Sequence, residues 1–241
     1  VWNAPTGNFQ ATAELALGLI FAAARGIARA TEGARTGKWM KKELSEGRQL
    51  SGSTLGIYGA GNIGLRVAHM ARGIGMRVLI CDPVFKHSAE QPYESVPFET
   101  LLKNSDFITI HAPLLDSTRG MFNASAFAQM KKGAILVNAA RGGIIQEADF
   151  LGALESGQLA GVALDVFETE PFTADHLVYA KLLAHPRVVA TPHVGASTVE
   201  SQRLVSIESG EKILAAIDAA QGKGTAPKAL NAPASARLRL A

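Results

Sequence analysis

A single cysteine in 241 residues, Cys81, excludes an internal disulfide and any multi-cysteine metal site within one chain. It fits a reducing, cytoplasmic setting. Aromatic residues are scarce at 6%, so the 47% hydrophobic content falls mainly on Ala, Val, Ile and Leu beside 24 glycines. That balance suits helices packed closely on a buried sheet. Long uncharged hydrophobic runs are missing too. The most apolar early stretch, Ala11 to Ala24, contains Glu14 and is too short to span a bilayer. No basic region precedes it and no cleavage pattern closes it, which argues against a signal peptide. A soluble chain with no membrane partner is expected. The net charge of +3 comes from scattered Lys and Arg, gathered only at Lys223, Lys228, Arg237 and Arg239, and with no basic stripe nucleic acid is not an expected partner. His69, His87, His176 and His185 lack metal-ligand spacing, so structural roles and no metal are expected.

The length allows one substantial core with a smaller appendage. Residues 12 to 30, apolar on nearly every side, predict one helix that is buried around most of its circumference and ends near Gly33. A polar loop or arm with Gly37, Lys38, Trp39, Lys41 and Lys42 leads to Gly52. From Thr54, six β-rich runs (TLGIY, RVLIC, DFITI, AILVN, GVALD and RVVAT) alternate with helical patterns or loops. Runs apolar on both faces and joined by helices predict an α/β fold, a doubly wound parallel sheet with helices on both faces. An Ala, Gly, Lys and Pro-rich tail follows from about Ala219.

The first strand runs into Gly59-Ala60-Gly61-Asn62-Ile63-Gly64, and a helical pattern follows. Gly59 allows a tight turn, Gly61 lets a pyrophosphate approach the backbone, and Gly64 lets the helix pack close to the strand, which is the Rossmann arrangement. The helix N-terminus then offers N–H donors to the anion. Asp82 ends the next strand, 18 residues beyond Gly64. A carboxylate there accepts hydrogen bonds from ribose hydroxyls and repels a 2′-phosphate, so NAD is expected over NADP.

Later strand ends carry His111-Ala112-Pro113-Leu114, Val137 to Gly143, Leu164 to Pro171 and Thr191 to Thr198. Doubly wound sheets bind ligands at that edge. An Arg, an acid pair and a His thus share one rim. Oxidising an alcohol beside a carboxylate needs a cation for the carboxylate and carbonyl oxygen, a base near neutral pH, and a partner that orients the base. Cys81 reads as a strand residue facing the core or the adenine pocket, and His111 as a loop-shaping residue.

From Asn3 to about Pro233 these motifs, in this order, resemble the D-2-hydroxyacid dehydrogenase family. The resemblance implies that Arg141 binds the substrate carboxylate and carbonyl, His193 is the acid/base, Glu170 its partner, and Asp165 the residue that holds the nicotinamide carboxamide. It places Asn62 and Ile63 at the pyrophosphate and Asp82 at the ribose. Ala112 falls at the adenosine half, and Ala139, Ala140 and Arg141 at the nicotinamide side, with His193, Gly195 and Ala196 completing that wall. The segments around Asn3 to Asn8 and Pro192 to Thr198 look most like the phosphoglycerate dehydrogenase branch, which implies 3-phosphoglycerate and serine biosynthesis; glyoxylate and hydroxypyruvate reductases share most of the pattern. The family also includes NAD-sensing corepressors, which carry a bulky aromatic beyond the His where this chain has Val194-Gly195-Ala196.

Two departures stand out. Asn62 replaces an Arg found in many relatives, and Gln146 replaces a usual Asp before a helix expected to start near Glu147. The resemblance also implies that an N-terminal substrate-domain segment is absent. The expected organisation is an interdomain segment and helix at 1–35, an NAD-binding domain at 36–192, and at 193–241 the C-terminal remnant of a substrate domain with its tail. Helix 12–30 and the Trp39 arm are expected to meet their copies in a homodimer.

Overall fold

The computed structural model describes residue 4 and residues 6–88, 92–173 and 176–227. Asn3 and Pro5 of the early motif, and Lys228, Arg237 and Arg239 of the tail, lie outside the described residues. In chain order the elements are α1 (Phe9–Arg25), α2 (Ile27–Arg35), β1 (Thr54–Tyr58), α3 (Asn62–Gly73), β2 (Arg77–Cys81), β3 (Glu94–Ser95), α4 (Phe98–Asn104), β4 (Phe107–Ile110), α5 (Ala124–Gln129), β5 (Ala134–Asn138), α6 (Glu147–Glu155), β6 (Leu159–Leu164), α7 (Leu177–Ala184), β7 (Val188–Ala190) and α8 (Val199–Ala220).

The strands form one parallel sheet in the order β3-β2-β1-β4-β5-β6-β7. Alternate residues of each central strand feed two separate cores, one on each face. Leu79, Ile108, Ile110, Leu136, Val162 and Leu164 join the side chains of α4 to α7. Val78, Ile80, Phe107, Ile135, Val137 and Ala163 join those of α1 and α3. Burial on both faces is why these strands read as unbroken apolar runs. The six strands expected from the sequence are all present, and β3 makes a seventh. It is two exposed residues, Glu94 and Ser95, that pair with Leu79 and Ile80 at the sheet edge, too short and polar to carry a strand pattern.

The single helix expected at 12–30 is two. Gly26 sits in the left-handed region at φ 59°, and α1 and α2 meet there at 65°. Nor is it buried around most of its circumference: Thr12, Ala13, Ala16, Leu19, Ile20 and Ala24 form a buried stripe, while Phe21 and Ile27 are exposed. No single helix among the described residues is long and apolar enough to cross a membrane.

Compact units also divide elsewhere than at 35/36 and 192/193. Residues 12–195 form one unit, and the described residues of 1–11 and 196–241 form the other. Helix α1 therefore belongs mostly with the sheet, because its buried stripe is part of the core over β1 and β2. In the smaller unit Glu208 Oε2 accepts from both the amide (3.1 Å) and the hydroxyl (2.7 Å) of Thr6. The Ser201 hydroxyl donates to the Gly7 carbonyl at 2.8 Å.

Candidate active site

Within residues 12–195, every expected site residue falls beyond the C-terminal end of a parallel strand: the glycine loop after β1, Asp82 after β2, Ala112 after β4, Ala139 to Arg141 after β5, Asp165 and Glu170 after β6, His193 and Gly195 after β7. Ala196 opens the smaller unit. Strand order reverses between β1 and β4, where such sheets open a crevice for ligands.

There the glycine loop is held against β4. Gly59 has φ 98°, which side chains rarely adopt, and a Cβ on it would lie 2.5 Å from the Ala112 nitrogen. A Cβ on Gly64 would lie 2.1 Å from the Gly59 carbonyl oxygen, so α3 starts directly on the strand end. Around Gly61 a Cβ would meet nothing within 4 Å, which leaves room at the N-terminus of α3, where Asn62 and Ile63 begin the helix. First-turn amides lack intrahelical acceptors and are free to meet an anion. Asp82 ties this loop to the turn after β2: Oδ2 accepts from Ala60 N at 2.8 Å, and Oδ1 from Val84 N at 2.8 Å and Phe85 N at 3.1 Å. Three of about four acceptor positions are thereby used, and one remains open. Open space over Gly61, helix donors and a carboxylate beside them fit a dinucleotide.

Across the rim, His193 Nδ1 lies 2.6 Å from Glu170 Oε2. Burial pushes the Glu170 carboxyl up, but hydrogen bonds from His193 and the Phe167 amide and the charges of His193 and Arg141 outweigh it and hold the group below the usual range. His193 is the one non-glycine residue with positive φ among those described, at 54°. Its amide donates to the carbonyls of Asp165 (2.8 Å) and Thr191 (3.1 Å). The Asp165 carboxylate accepts from Thr191 Oγ1 (2.6 Å) and the amides of Val194 and Gly195 (both 2.9 Å). This buried side chain is thus mostly committed to shaping the histidine turn, with one acceptor position left open.

Arg141 is exposed, and its loop is shaped by a residue that the sequence reading left without a role. Buried Asn138 donates from Nδ2 to the Arg141 carbonyl (2.9 Å) and accepts at Oδ1 from Ala140 N (3.0 Å). Its place at the last position of a strand before a bend was a usable signal. Glu147 and Tyr179 were missed as well. They hold the segment that carries Glu170, across sequence gaps that no local pattern reports.

The remaining candidates have structural surroundings. His111 Nε2 is 2.9 Å from Thr109 Oγ1, and burial pushes the imidazole down to about 3, so it stays neutral. Cys81 packs against the core, and burial with the charges of Asp82 and Glu99 raises its thiol to about 11, an unreactive setting. His176 stacks on Tyr179 at 4.1 Å. His87 Nδ1 meets the Tyr93 carbonyl at 3.0 Å, and His185 Nδ1 accepts from Arg187 N at 3.2 Å. Among the described residues no group of three His, Cys, Asp or Glu side chains gathers to hold a metal ion. Gln146 precedes α6 without a side-chain cap.

Comparison with known proteins agrees with this geometry. Residues 17–195 match the family model described as D-isomer specific 2-hydroxyacid dehydrogenase, NAD binding domain. The chain is 49% identical over 213 residues to a hydroxypyruvate reductase of Thermotoga maritima, covering 88% of this chain and 68% of that one. It is 44% identical over 226 residues to the human D-3-phosphoglycerate dehydrogenase, covering 92% of this chain and 40% of that one. The crystal structure of a D-lactate dehydrogenase from Aquifex aeolicus, complexed with NAD and lactic acid, superposes with a TM-score of 0.81 at 28% identity, over 91% of this chain and 69% of that one. This chain therefore spans well under half the length of the phosphoglycerate dehydrogenases it matches. With a glycine loop at the strand ends, a carboxylate beside it and a matching family model over the same residues, the chain belongs to the D-isomer specific 2-hydroxyacid dehydrogenases, of which it carries the NAD-binding domain.

Proposed function

We propose that this chain supplies the cofactor site and the reacting side chains of an NAD-dependent dehydrogenase acting on a small D-2-hydroxy acid, with 3-phosphoglycerate as substrate in serine biosynthesis. The observation that carries the reading is the 2.6 Å contact of His193 with Glu170 on the same strand rim as Arg141 and the glycine cradle. Bound NAD supplies the hydride acceptor. The Arg141 guanidinium grips the substrate carboxylate and stabilises charge on the reacting oxygen. His193 donates from Nδ1 to Glu170, which leaves Nε2 to take the hydroxyl proton during oxidation and return it during reduction. Glu170 stabilises the imidazolium formed in between.

A second reading, hydroxypyruvate or glyoxylate reduction by the same groups, is favoured by the name of the Thermotoga relative. Steady-state rates with 3-phosphoglycerate, hydroxypyruvate, glyoxylate and lactate decide between them, measured on the chain extended to the length of its relatives. Preference for a phosphorylated acid supports the first reading and preference for hydroxypyruvate the second. Tight NAD binding without turnover of any acid leaves a sensing module.

The assembly proposed is a homodimer through the NAD-binding unit. Phe21, Ile27 and Trp39 are all exposed there, and an isologous contact would bury each of them twice. NAD chemistry and a lone thiol fit a cytoplasmic protein.

A further inference from the structure

The three consecutive amides that lead into the Glu170 carboxylate each end on a side chain. Phe167 N donates to Glu170 Oε1 at 2.7 Å, Glu168 N to Glu147 Oε1 at 2.8 Å, and Thr169 N to the Tyr179 hydroxyl at 2.9 Å. The Tyr179 hydroxyl and the Glu147 carboxylate also influence each other's ionisation. We propose that Glu147 and Tyr179 are positioning residues, a clamp from α6 and α7 that fixes where Glu170 meets His193. This rests on the reading of Glu170 and His193 as the acid–base pair.

Both side chains are almost fully enclosed. A buried carboxylate is costly and an apolar residue at the head of α6 would fill the same space, so the group is explained by the bonds it accepts. Burial raises the Glu147 carboxyl, while burial and the neighbouring Glu147 carboxylate push the Tyr179 hydroxyl up to about 12, so Tyr179 keeps its proton. The Tyr179 ring is also pinned on both sides of the segment, with its centroid 5.4 Å from that of Phe167 and 4.9 Å from that of Phe172. The anchor reaches the arginine loop as well: a Cβ on Gly142 would lie 2.0 Å from the Phe167 carbonyl, so Arg141 and Glu170 sit on backbones in direct contact. A catalytic constellation tolerates displacements of only about 0.5 Å, and amides bonded in sequence supply that precision.

The test is a carbon-13 NMR titration of the Glu170 carboxyl in the 241-residue chain, with calorimetric NAD binding as the check on the fold. Tyr179→Phe keeps the ring and removes the acceptor of the Thr169 amide. It is expected to raise the Glu170 midpoint toward the unperturbed value of 4.5, as is Glu147→Ala. Glu147→Gln, which still accepts from Glu168 N, is expected to stay near the wild-type midpoint. An unmoved midpoint in Tyr179→Phe overturns the clamp. His193→Ala separates the two ideas: if Glu170 does not respond to loss of the imidazole, the acid–base pair itself fails. A response there with none in Tyr179→Phe removes only the clamp.

Discussion

His193 and Glu170 are 23 residues apart in sequence, yet a 2.6 Å hydrogen bond joins them, and the histidine reaches it from a backbone φ of 54°. A non-glycine residue in that region costs roughly 1–2 kcal/mol. Asp165 over-determines the turn: its carbonyl receives the His193 amide, and its carboxylate receives the next two amides. Strain kept in place by such a network is expected where a side chain must be aimed.

The lowered Glu170 carboxyl has a consequence for stability. A group whose folded pKa lies below its unfolded value of 4.5 contributes stability above that pH and loses it as pH falls through the folded value. Glu170→Gln is therefore expected to be less stable than wild type near neutral pH. Urea unfolding should show the gap closing as pH falls below about 4.5. A gap that is constant with pH would mean that the charge on Glu170 is not what the fold uses.

At the opposite end of the sheet, Asp106 accepts from the Thr54 amide (2.9 Å), Lys131 (2.6 Å) and Arg48 (3.3 Å). Burial pushes this carboxyl up, and those bonds and charges together bring it below its usual range. Asp106→Ala strands the first amide of β1 and is expected to destabilise the chain by about 1–3 kcal/mol. Denaturant titration measures this. NAD affinity should hardly change, because the site lies at the other ends of the strands.

The sheet was legible in the sequence because burial on both faces turns each central strand into a dense apolar run, and the glycine loop because each glycine meets a steric demand visible in the motif. Gly26 was not. In a run rich in alanine nothing local distinguishes a glycine that continues a helix from one that bends it, and the bend is decided by what α1 and α2 pack against. Arg141, Glu170 and His193 were legible as residues at strand ends, but their geometry was not. Of the supports of that geometry, Asn138 acts on its own loop, whereas Glu147 and Tyr179 act on backbone atoms of another segment. A hydrogen bond from Glu168 N to a side chain 21 residues earlier leaves no periodic trace.

Cofactor preference follows from Asp82. NAD is expected to bind at least tenfold tighter than NADP, about 1.4 kcal/mol, because the carboxylate beside the glycine loop repels a 2′-phosphate. Asp82→Asn keeps one acceptor for the turn and removes the charge, so it should narrow the ratio more than it weakens NAD. Calorimetry with both dinucleotides tests this, and equal affinities in the wild-type chain would remove Asp82 from the ribose.

Association is the next expectation. Light scattering of the 241-residue chain at micromolar concentration should give a dimer mass, and Ile27→Asp together with Trp39→Ala should give a monomer that still binds NAD. A folded wild-type chain of monomer mass would set the isologous contact aside.

Catalysis in the extended protein is expected to divide the roles proposed for His193, Arg141 and Glu170. His193→Ala should lose about 10²- to 10⁴-fold in kcat, the usual worth of general acid–base help, with NAD affinity almost unchanged. Arg141→Ala should raise KM for the acid and lower kcat as well, since its contact with the carboxylate exists before and during hydride transfer. Gly142→Ala forces a methyl group into the Phe167 carbonyl, so the arginine loop and the segment carrying Glu170 must move apart. It should cost turnover although it touches no substrate. If His193→Ala kept full activity, the proton would have another acceptor and the mechanism would fail. If Gly142→Ala alone kept it, the reacting groups would be tolerant of displacement, and the contact between the two loops would matter only for packing.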